Sequence, residues 1–346
     1  MGSESEPFVA YLAQKRPLIE DYLETHAAIP NSEDRTASDM NRYAYGPLRR
    51  FTASGGKRTR PALVLLGCEA VGGKDEQALS CAQALEYFQS AALIHDDIAD
   101  KGQIRRGEPC TYLTEGVGVA INVGDLGIVR TFAGVIEDDS LPTETKLDAL
   151  RYLATMEECT VQGQALDLGW VRDGRWDLTC EDYLSMARHK TAYYSAATPL
   201  ALGALIGQGT AEQIETLHGF GLDAGLAFQL QDDLLNLVGD EESQGKDFRS
   251  DLTEGKRTLA VVWALSHLDE QHKQELIGLL SSHTTDPKEL NRAFDLIEGV
   301  GAIDAVRNYA LKLVHSAQNR LEGVHFEGNT RDILVAMTNY FISRRA

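Results

Sequence analysis

Two short acidic motifs have the residue types and spacing that could do chemistry. "HDDIAD" occupies residues 95–100 and "QDDLLN" occupies residues 231–236, and each follows an apolar run with helical spacing. On a helix, the first and fifth positions of a DDxxD motif lie about one turn apart on the same face. Asp96 and Asp100 therefore point in one direction, and two facing helices with such ends could direct carboxylates into one cavity.

Clustered carboxylates need a compensating cation. In a partly dry site, neighbouring carboxylates push each other towards protonation, so water and lysines or a metal ion must balance their charge. A few carboxylates, several waters and substrate phosphate oxygens are the ligands that Mg²⁺ prefers. A single such motif could equally be a solvated acidic face. Its repetition at two apolar helix ends favours a metal site.

Basic residues near these motifs could bind a polyanion. In "SGGKRTRP", two glycines precede Lys57, Arg58 and Arg60, and Pro61 stands at a suitable helix start. A glycine turn before a helix N-terminus, followed by cations, suits an anion. Neither GxxxxGK[ST] nor GxGxxG occurs, so the common nucleotide-binding loops are missing. The further cations are Arg105, Arg106, Lys190, Lys246, Lys256 and Arg257. Each alone is typical of a surface charge, but together they predict a pocket for a polyanion held by both metal and cations.

Helices must position these residues. Long segments such as "EQALSCAQALEYFQSAALIHDDIAD" and "IETLHGFGLDAGLAFQLQDDLLNLVGD" keep apolar or small residues at helical spacing, whereas alternating strand patterns are scarce. The helices are too long and too apolar to be surface additions. No solenoid-type repeat is visible. We therefore predict an all-α bundle forming a single domain over residues 1–346, with a disordered tail over about residues 1–7.

The composition limits the function classes. The formal net charge of −19 argues against nucleic-acid binding, which needs clustered Lys and Arg. Five cysteines without a CxxC pair indicate reduced thiols and a cytoplasmic protein. No uninterrupted apolar run reaches the roughly 18 residues of a membrane span, and no signal-peptide core is present. No Ser/His/Asp triad or activated Cys is visible.

Six motifs in order resemble the trans-isoprenyl diphosphate synthase family, which includes farnesyl and geranylgeranyl diphosphate synthases. They are "GGKRTRP", "LIHDDIADKGQIRRGEP", "GQALDL", "HKT", "FQLQDDLLN" and "GKDFRSDLTEGKRT". A single DDxxD motif is weak support, whereas six motifs in the right order are specific. The resemblance covers roughly residues 40–260 and implies the isoprenoid synthase helical bundle with a central cavity.

The resemblance also implies roles for individual residues. Asp96 and Asp100 would bind two Mg²⁺ ions and Asp232 a third, with Asp97, Asp233 and Asn236 in support. The residues implied for the allylic diphosphate are Arg105, Lys190, Lys246 and Lys256. The residues implied for isopentenyl diphosphate are Lys57, Arg60, Gln89 and Arg106. Gln164 and Asp167 would lie across the cavity, and Thr191 and Gln229 would direct oxygen dipoles at an allylic carbocation.

The implied reaction joins two substrates. The allylic diphosphate loses its diphosphate to leave a carbocation, the double bond of isopentenyl diphosphate attacks it, and a proton is lost. Mg²⁺ and basic side chains would stabilise the departing anion, in a cavity from which water is excluded. Homodimer formation is also implied, through the apolar helices around residues 115–135 and 145–165.

Product length depends on the helix before the first acidic motif. One turn upstream of Asp96 stand Ala91 and Ala92, where farnesyl-making relatives often have a bulky aromatic residue. One further turn away stand Tyr87 and Phe88, which are candidates for the tunnel floor. Geranylgeranyl diphosphate is the expected product, with farnesyl or longer polyprenyl diphosphates as alternatives. Phe88 could also be an ordinary core residue, with other helices forming the floor.

Two departures from the family pattern and two other function classes stay open. The second motif ends in Asn236 where many relatives have aspartate, and Arg249 stands where the family commonly has glycine. A terpene cyclase would share the fold but use one substrate, and the sequence lacks its usual NSE-type second motif. A non-catalytic prenyl-diphosphate-binding subunit would usually have lost the first acidic motif, which is intact here.

Overall fold

Helices make up the fold, which confirms the all-α prediction. The computed structural model describes residues 3–30, 34–239 and 248–343. Its first nine α-helices are α1 (Glu6–Thr25), α2 (Ala37–Met40), α3 (Gly46–Ala53), α4 (Thr59–Ala70), α5 (Asp75–Ala99), α6 (Thr111–Glu115), α7 (Val117–Glu137), α8 (Thr143–Arg172) and α9 (Cys180–Ala187). The remaining ones described are α10 (Thr198–Ile206), α11 (Ala211–Val238), α12 (Ser250–Thr253), α13 (Leu259–His267), α14 (Glu270–Ser281), α15 (Pro287–Gly299), α16 (Ala302–Arg320) and α17 (Thr330–Ser343).

A few segments depart from α-helix. Asn41–Tyr45 and Arg188–Ala197 are wound as π-helix, a form that recurs at functional sites. A two-stranded antiparallel hairpin pairs β1 (Ile104–Arg105) with β2 (Glu108–Pro109) directly after the first acidic motif. Within the described ranges, this hairpin is the only sheet. It returns the chain so that Arg105 and Arg106 lie beside the end of α5.

The N-terminal segment differs from the predicted tail. Ser3–Ser5 form a 3₁₀ turn and α1 begins at Glu6, with a proline in its first turn, where a missing N–H costs nothing. The prediction of disorder up to residue 7 is therefore wrong from residue 3 onwards, while residues 1 and 2 lie outside the described ranges. Lys15 ties α1 to the bundle, because its ammonium is 2.5 Å from Glu69 and 2.6 Å from Asp75.

The helices that carry the two acidic motifs lie at the centre of the bundle. α5 packs against α4 and α7, and α11 packs against α16 and the segment Arg188–Ala197, which is called the π-helical segment below. The start of α5 is fixed by a capping bond from the Lys74 N–H to Gln77 Oε1, 2.8 Å. The start of α11 is capped by Thr210, whose hydroxyl accepts the Gln213 N–H at 3.2 Å. α5 and α11 are uninterrupted over 25 and 28 residues, respectively, so each acidic motif lies at the end of a long, regular helix.

Small residues allow α4 and α10 to approach closely. A Cβ added at Gly203 would lie 1.9 Å from the Val64 carbonyl oxygen, and one added at Gly67 would lie 2.1 Å from that of Leu200. Side chains of any size would therefore force the two helices apart. The glycines and alanines in the sequence accordingly mark helix contacts at backbone distance.

One helix is long and apolar enough to pass a test for a membrane span, although no uninterrupted apolar run of that length occurs in the sequence. Among the described helices, α7 meets that test by length and composition, with a mean hydropathy of 1.5 over 18 residues. The sequence prediction required an uninterrupted apolar run, whereas α7 contains Asp125 and Arg130. Only a third of this stretch is buried in the single chain, and apolar side chains such as Val129 are exposed.

Candidate active site

A cavity of 420 Å³ lies between the basic segment before α4 and the end of α11. Most residues predicted to bind substrate line it, together with aromatic side chains from the π-helical segment and α17. The predicted residues in its lining are Lys57, Arg60, Gln89, Arg105, Arg106, Thr191, Gln229 and Asp232. The structure thus brings together residues that are up to 175 positions apart in the chain.

The first acidic motif, at the end of α5, does not line this cavity itself but borders Arg105, which does. Asp96 Oδ1 accepts a hydrogen bond of 3.1 Å from the Gln164 amide of α8. Asp100, at the C-cap of α5, lies 3.3 Å from the Lys256 ammonium. Burial raises the pKa of Asp100, the Lys256 charge lowers it, and the neighbouring Asp96 charge raises it again. This pair therefore lies where an added cation would be stabilising.

Asp97 is directed differently from its neighbours. It is 1% exposed, and its Oδ1 accepts hydrogen bonds of 2.8 and 2.6 Å from the Nε and Nη2 of Arg105. The same guanidinium lies 4.0 Å from Asp96 Oδ2. Asp97 thus holds Arg105 in place at the cavity wall, so its geometry fits a positioning residue better than a metal ligand.

The second acidic motif divides between cavity and interior. Asp232 is exposed to the cavity, whereas Asp233 accepts hydrogen bonds from the Tyr183 hydroxyl and, at 2.6 Å, from the Gln229 amide. Burial and the charge of Asp251 raise the pKa of Asp233 to about 8. Thr191 donates to Gln229 Oε1 at 2.6 Å, so the two predicted carbocation-stabilising residues form one hydrogen-bonded chain with Asp233.

Asn236 uses its amide to hold the next segment of the chain. Its Oδ1 accepts the Asp251 N–H at 3.1 Å, and its Nδ2 donates to Ser250 Oγ at 2.9 Å. Both amide atoms thus have partners within the protein. The departure from aspartate therefore affects the placement of α12 more directly than it affects a metal shell.

Two lysines are surrounded by carboxylates in a smaller cavity of 60 Å³ that shares Thr191 and Gln229 with the larger one. The Lys190 ammonium lies 2.5 Å from Asp167, and the Lys256 ammonium lies 2.7 Å from Glu254. Burial lowers the pKa of Lys256, but its carboxylate neighbours hold it well above the ordinary value. Both lysines are therefore charged. The fourth predicted cation, Lys246, lies outside the described residues.

The basic side of the cavity is supported by residues that the sequence analysis did not single out. Arg60 donates to Ser195 Oγ at 2.8 Å, and its guanidinium lies 4.4 Å from the centre of the Tyr194 ring. Glu86 is buried and pairs with Arg58 at 2.6 Å and with Arg106 at 3.7 Å. A glutamate inside the apolar run "ALEYFQ" is the signal that could have revealed it, because buried charges are normally paired.

The donor set fits Mg²⁺. Across residues 3–30, 34–239 and 248–343, no three His, Cys, Asp or Glu side chains form a preassembled metal cluster. Mg²⁺ does not need one, since it binds through one or two carboxylates, waters and substrate phosphates. Burial and neighbouring negative charges raise the pKa of Asp100, Asp233 and Asp251. A divalent cation bound beside these carboxylates would therefore stabilise their charged forms.

The candidate tunnel residues point to different sides of α5. The Phe88 ring lies 5.7 Å from Tyr194, which lines the cavity, and Ala92 is half-buried one turn above it. The Tyr87 hydroxyl instead accepts the Ala28 N–H at 3.0 Å, on the α3 side. Ala91 is fully buried where α5 packs on α7. Tyr87 and Phe88 therefore have different neighbours, because adjacent helical residues face about 100° apart, and Phe88 stays the stronger candidate for the tunnel floor.

Comparisons with known proteins agree with this geometry. The polyprenyl synthetase family model matches residues 41–297. The chain is 39% identical to a short chain isoprenyl diphosphate synthase of Methanothermobacter thermautotrophicus, covering 84% of this chain and 87% of that one. It is 35% identical to a geranylfarnesyl diphosphate synthase of Natronomonas pharaonis, covering 87% and 89%.

The fold matches a solved structure over nearly its whole length. The crystal structure of geranylgeranyl pyrophosphate synthetase from Pyrococcus horikoshii superposes with a TM-score of 0.87 at 30% identity, covering 98% of this chain and 99% of that one. The family model, the relatives and the fold agree with the six sequence motifs. The chain belongs to the polyprenyl synthetase family of trans-isoprenyl diphosphate synthases.

Proposed function

We propose that this prenyltransferase condenses isopentenyl diphosphate with an allylic diphosphate and releases mainly geranylgeranyl diphosphate. The observation that carries the proposal is one cavity that contains a Lys57–Arg60–Arg106 cradle and is also lined by Asp232 and Arg105, the latter 4.0 Å from Asp96. Two separate anion sites require two diphosphate substrates. A terpene cyclase, which uses one diphosphate, would not need the second cradle.

Mg²⁺ is the metal that the family uses to bind diphosphate, and this chain's acidic residues suit it. Asp96, Asp100 and Asp232 would hold three ions, which supply positive charge to the diphosphate leaving group when bound. Lys190 and Lys256, both already charged, would hold the same diphosphate from the other side. Because these cations are fixed before the reaction, they need little reorganisation as charge develops.

The remaining residues of the cavity orient the second substrate and protect the cation. Ser195 and Tyr194 hold the Arg60 guanidinium, so that the cradle for isopentenyl diphosphate is preorganised. The Thr191–Gln229 pair, with its hydrogen bond already made, would present oxygen dipoles to the allylic cation. Aromatic side chains at the cavity wall would exclude water, which would otherwise capture the cation as an alcohol.

Product length is proposed to follow from the open wall of α5. Ala92 leaves space one turn below Asp96, and Phe88 stands one further turn away, against Tyr194. A chain that passes Ala92 and stops at Phe88 fits geranylgeranyl diphosphate. The likeness to the geranylgeranyl pyrophosphate synthetase of Pyrococcus horikoshii supports this length. A longer product would instead match the one for which the Natronomonas pharaonis geranylfarnesyl diphosphate synthase is named.

The chain is further proposed to act as a cytoplasmic, single-domain homodimer. Exposed apolar side chains on α7 and α8 support the pairing, since contiguous apolar patches usually mark interaction sites. The largest exposed fractions are those of Val161 at 65%, Val129 at 59% and Ile136 at 55%. A second copy packed on these helices would cover them.

A turnover assay with labelled isopentenyl diphosphate and a panel of allylic primers tests the function. We expect the label to be incorporated into product, and we expect this incorporation to stop when EDTA is added. Asp96→Ala is expected to lower turnover roughly 100-fold or more with the helical content unchanged. The matched control Asp304→Ala, on the exposed surface of α16, is expected to keep the wild-type rate. Primer consumption without incorporation would indicate a cyclase, and binding without turnover a silent subunit. Full activity in EDTA would refute the metal-dependent mechanism.

A further inference from the structure

Arg249 has a backbone conformation that disfavours its side chain. Its φ is 57°, in the left-handed region, and it directly precedes α12. For a residue other than glycine, this conformation is strained, because Cβ crowds the following carbonyl oxygen. The side chain must therefore supply a compensating interaction.

The guanidinium of Arg249 is fully engaged in the interior. The residue is 8% exposed, its Nε donates to the Leu237 carbonyl at 3.3 Å, and its Nη1 donates to Asn291 Oδ1 at 2.6 Å. Its Cζ also lies 4.2 Å from the centre of the Phe294 ring and 4.7 Å from that of Phe248. Asn291 and Phe294 belong to α15, so Arg249 connects the end of α11 to a helix outside the active site.

A chain of hydrogen bonds leads from this connection to the substrate cavity. The Arg249 N–H donates to the Asn236 carbonyl at 2.9 Å, and Asn236 in turn accepts the Asp251 N–H at 3.1 Å. The Asp251 carbonyl accepts the Lys256 N–H at 2.9 Å. The Lys256 ammonium then reaches Asp100 of the first acidic motif. The position of Lys256 thus depends on how α12 is held.

We propose that Arg249 is a positioning residue for the allylic diphosphate site. By anchoring α12 to α15, it fixes the backbone that places Lys256 opposite Asp100. The inference rests on the proposed function, because it assumes that Lys256 holds the allylic diphosphate. It predicts an effect on one substrate only, since Lys57, Arg60 and the rest of the isopentenyl diphosphate cradle lie on other elements.

Steady-state kinetics with each substrate varied in turn test the proposal. Arg249→Ala is expected to raise the KM for the allylic diphosphate about tenfold, the size typical of lost support behind a ligand shell. The KM for isopentenyl diphosphate is expected to stay at the wild-type value. Arg249→Lys keeps the charge but loses the planar group and its forked donors. Its KM for the allylic diphosphate is therefore expected to lie between those of the wild type and Arg249→Ala. Arg292→Ala, an exposed neighbour of Asn291 that pairs with Glu275, is the matched control and leaves both constants unchanged.

A second variant protects the test against misfolding. Asn291→Ala removes only the distal contact from an exposed position and is expected to raise the same KM by a smaller factor. Equal changes in both KM values, or none in either variant, would overturn the positioning role. Wild-type turnover is measured in the same assay. Its absence would refute the proposed function, whereas wild-type turnover with unchanged variants would refute the Arg249 inference alone.

Discussion

Product length is expected to shift in opposite directions when two successive turns of the α5 wall are changed. Phe88→Ala removes the ring that stands against Tyr194 and exposes the next turn of α5, at Ala84. One turn is about 5.4 Å, close to one isoprene unit, so the product is expected to lengthen by about one unit. Ala92→Phe places a ring one turn above Phe88 and is expected to shorten it by one.

The stability cost of the longer tunnel sets the assay conditions. Phe88 is 4% exposed, and truncating such a phenylalanine costs about 3–5 kcal/mol. That is a large part of the stability of an ordinary protein, so products are to be compared well below the melting temperature of the variant. Ala92→Phe adds a ring at a half-buried position that borders open space, so its cost is expected to be smaller.

Chromatography of the products after incubation with labelled isopentenyl diphosphate measures the outcome. Tyr87→Ala is the matched control, because it removes an equally large ring from the next position on α5, which faces Ala28. The control is expected to lose stability but keep the wild-type product length. A mainly farnesyl product from the wild type would refute the open wall at Ala92. Unchanged products from both Phe88→Ala and Ala92→Phe would show that other helices form the floor.

Three further outcomes are expected. Burial raises the pKa of Glu157 from 4.5 to about 8, so the unfolded chain loses this proton at a lower pH than the folded chain does. The free energy of unfolding should therefore fall by about 1.4 kcal/mol per pH unit between roughly pH 5.5 and 7.5. Denaturant titrations should show this slope lost in Glu157→Gln and kept in the exposed neighbour Glu158→Gln, and equal slopes in both would contradict it. Gly203→Ala should lower the free energy of unfolding by about 1–3 kcal/mol or more, because its Cβ would meet the Val64 carbonyl. Gly169→Ala, which has open space around it, should raise the free energy of unfolding by about 1 kcal/mol. Similar urea midpoints for the two variants would refute the close approach of α4 and α10. Val129→Arg places a charge on the exposed apolar face of α7 and should convert the proposed dimer to a monomer in sedimentation experiments. A monomeric wild type would refute the proposed homodimer.

The sequence by itself determined the fold class, the location of both acidic motifs at helix ends and the basic segment before α4. These features are local, because helical periodicity, glycine turns and DDxxD spacing operate within a few turns of chain. The side of α5 on which Asp96 and Asp100 lie followed from the same spacing. The order of the six motifs then identified the family, which the comparisons confirmed.

Only the tertiary structure decided which neighbouring residues face the cavity and what supports them. Asp97 turns inward to Arg105 while Asp96 does not, and Tyr87 turns to Ala28 while Phe88 meets Tyr194. Glu86 and Arg249 acquire their partners from elements that are remote in the chain. Such choices depend on which helix packs against which face, and the free energy of that packing comes from contacts between distant segments. A local sequence pattern carries no record of those contacts, so it could place the active site but could not show how its side chains are held.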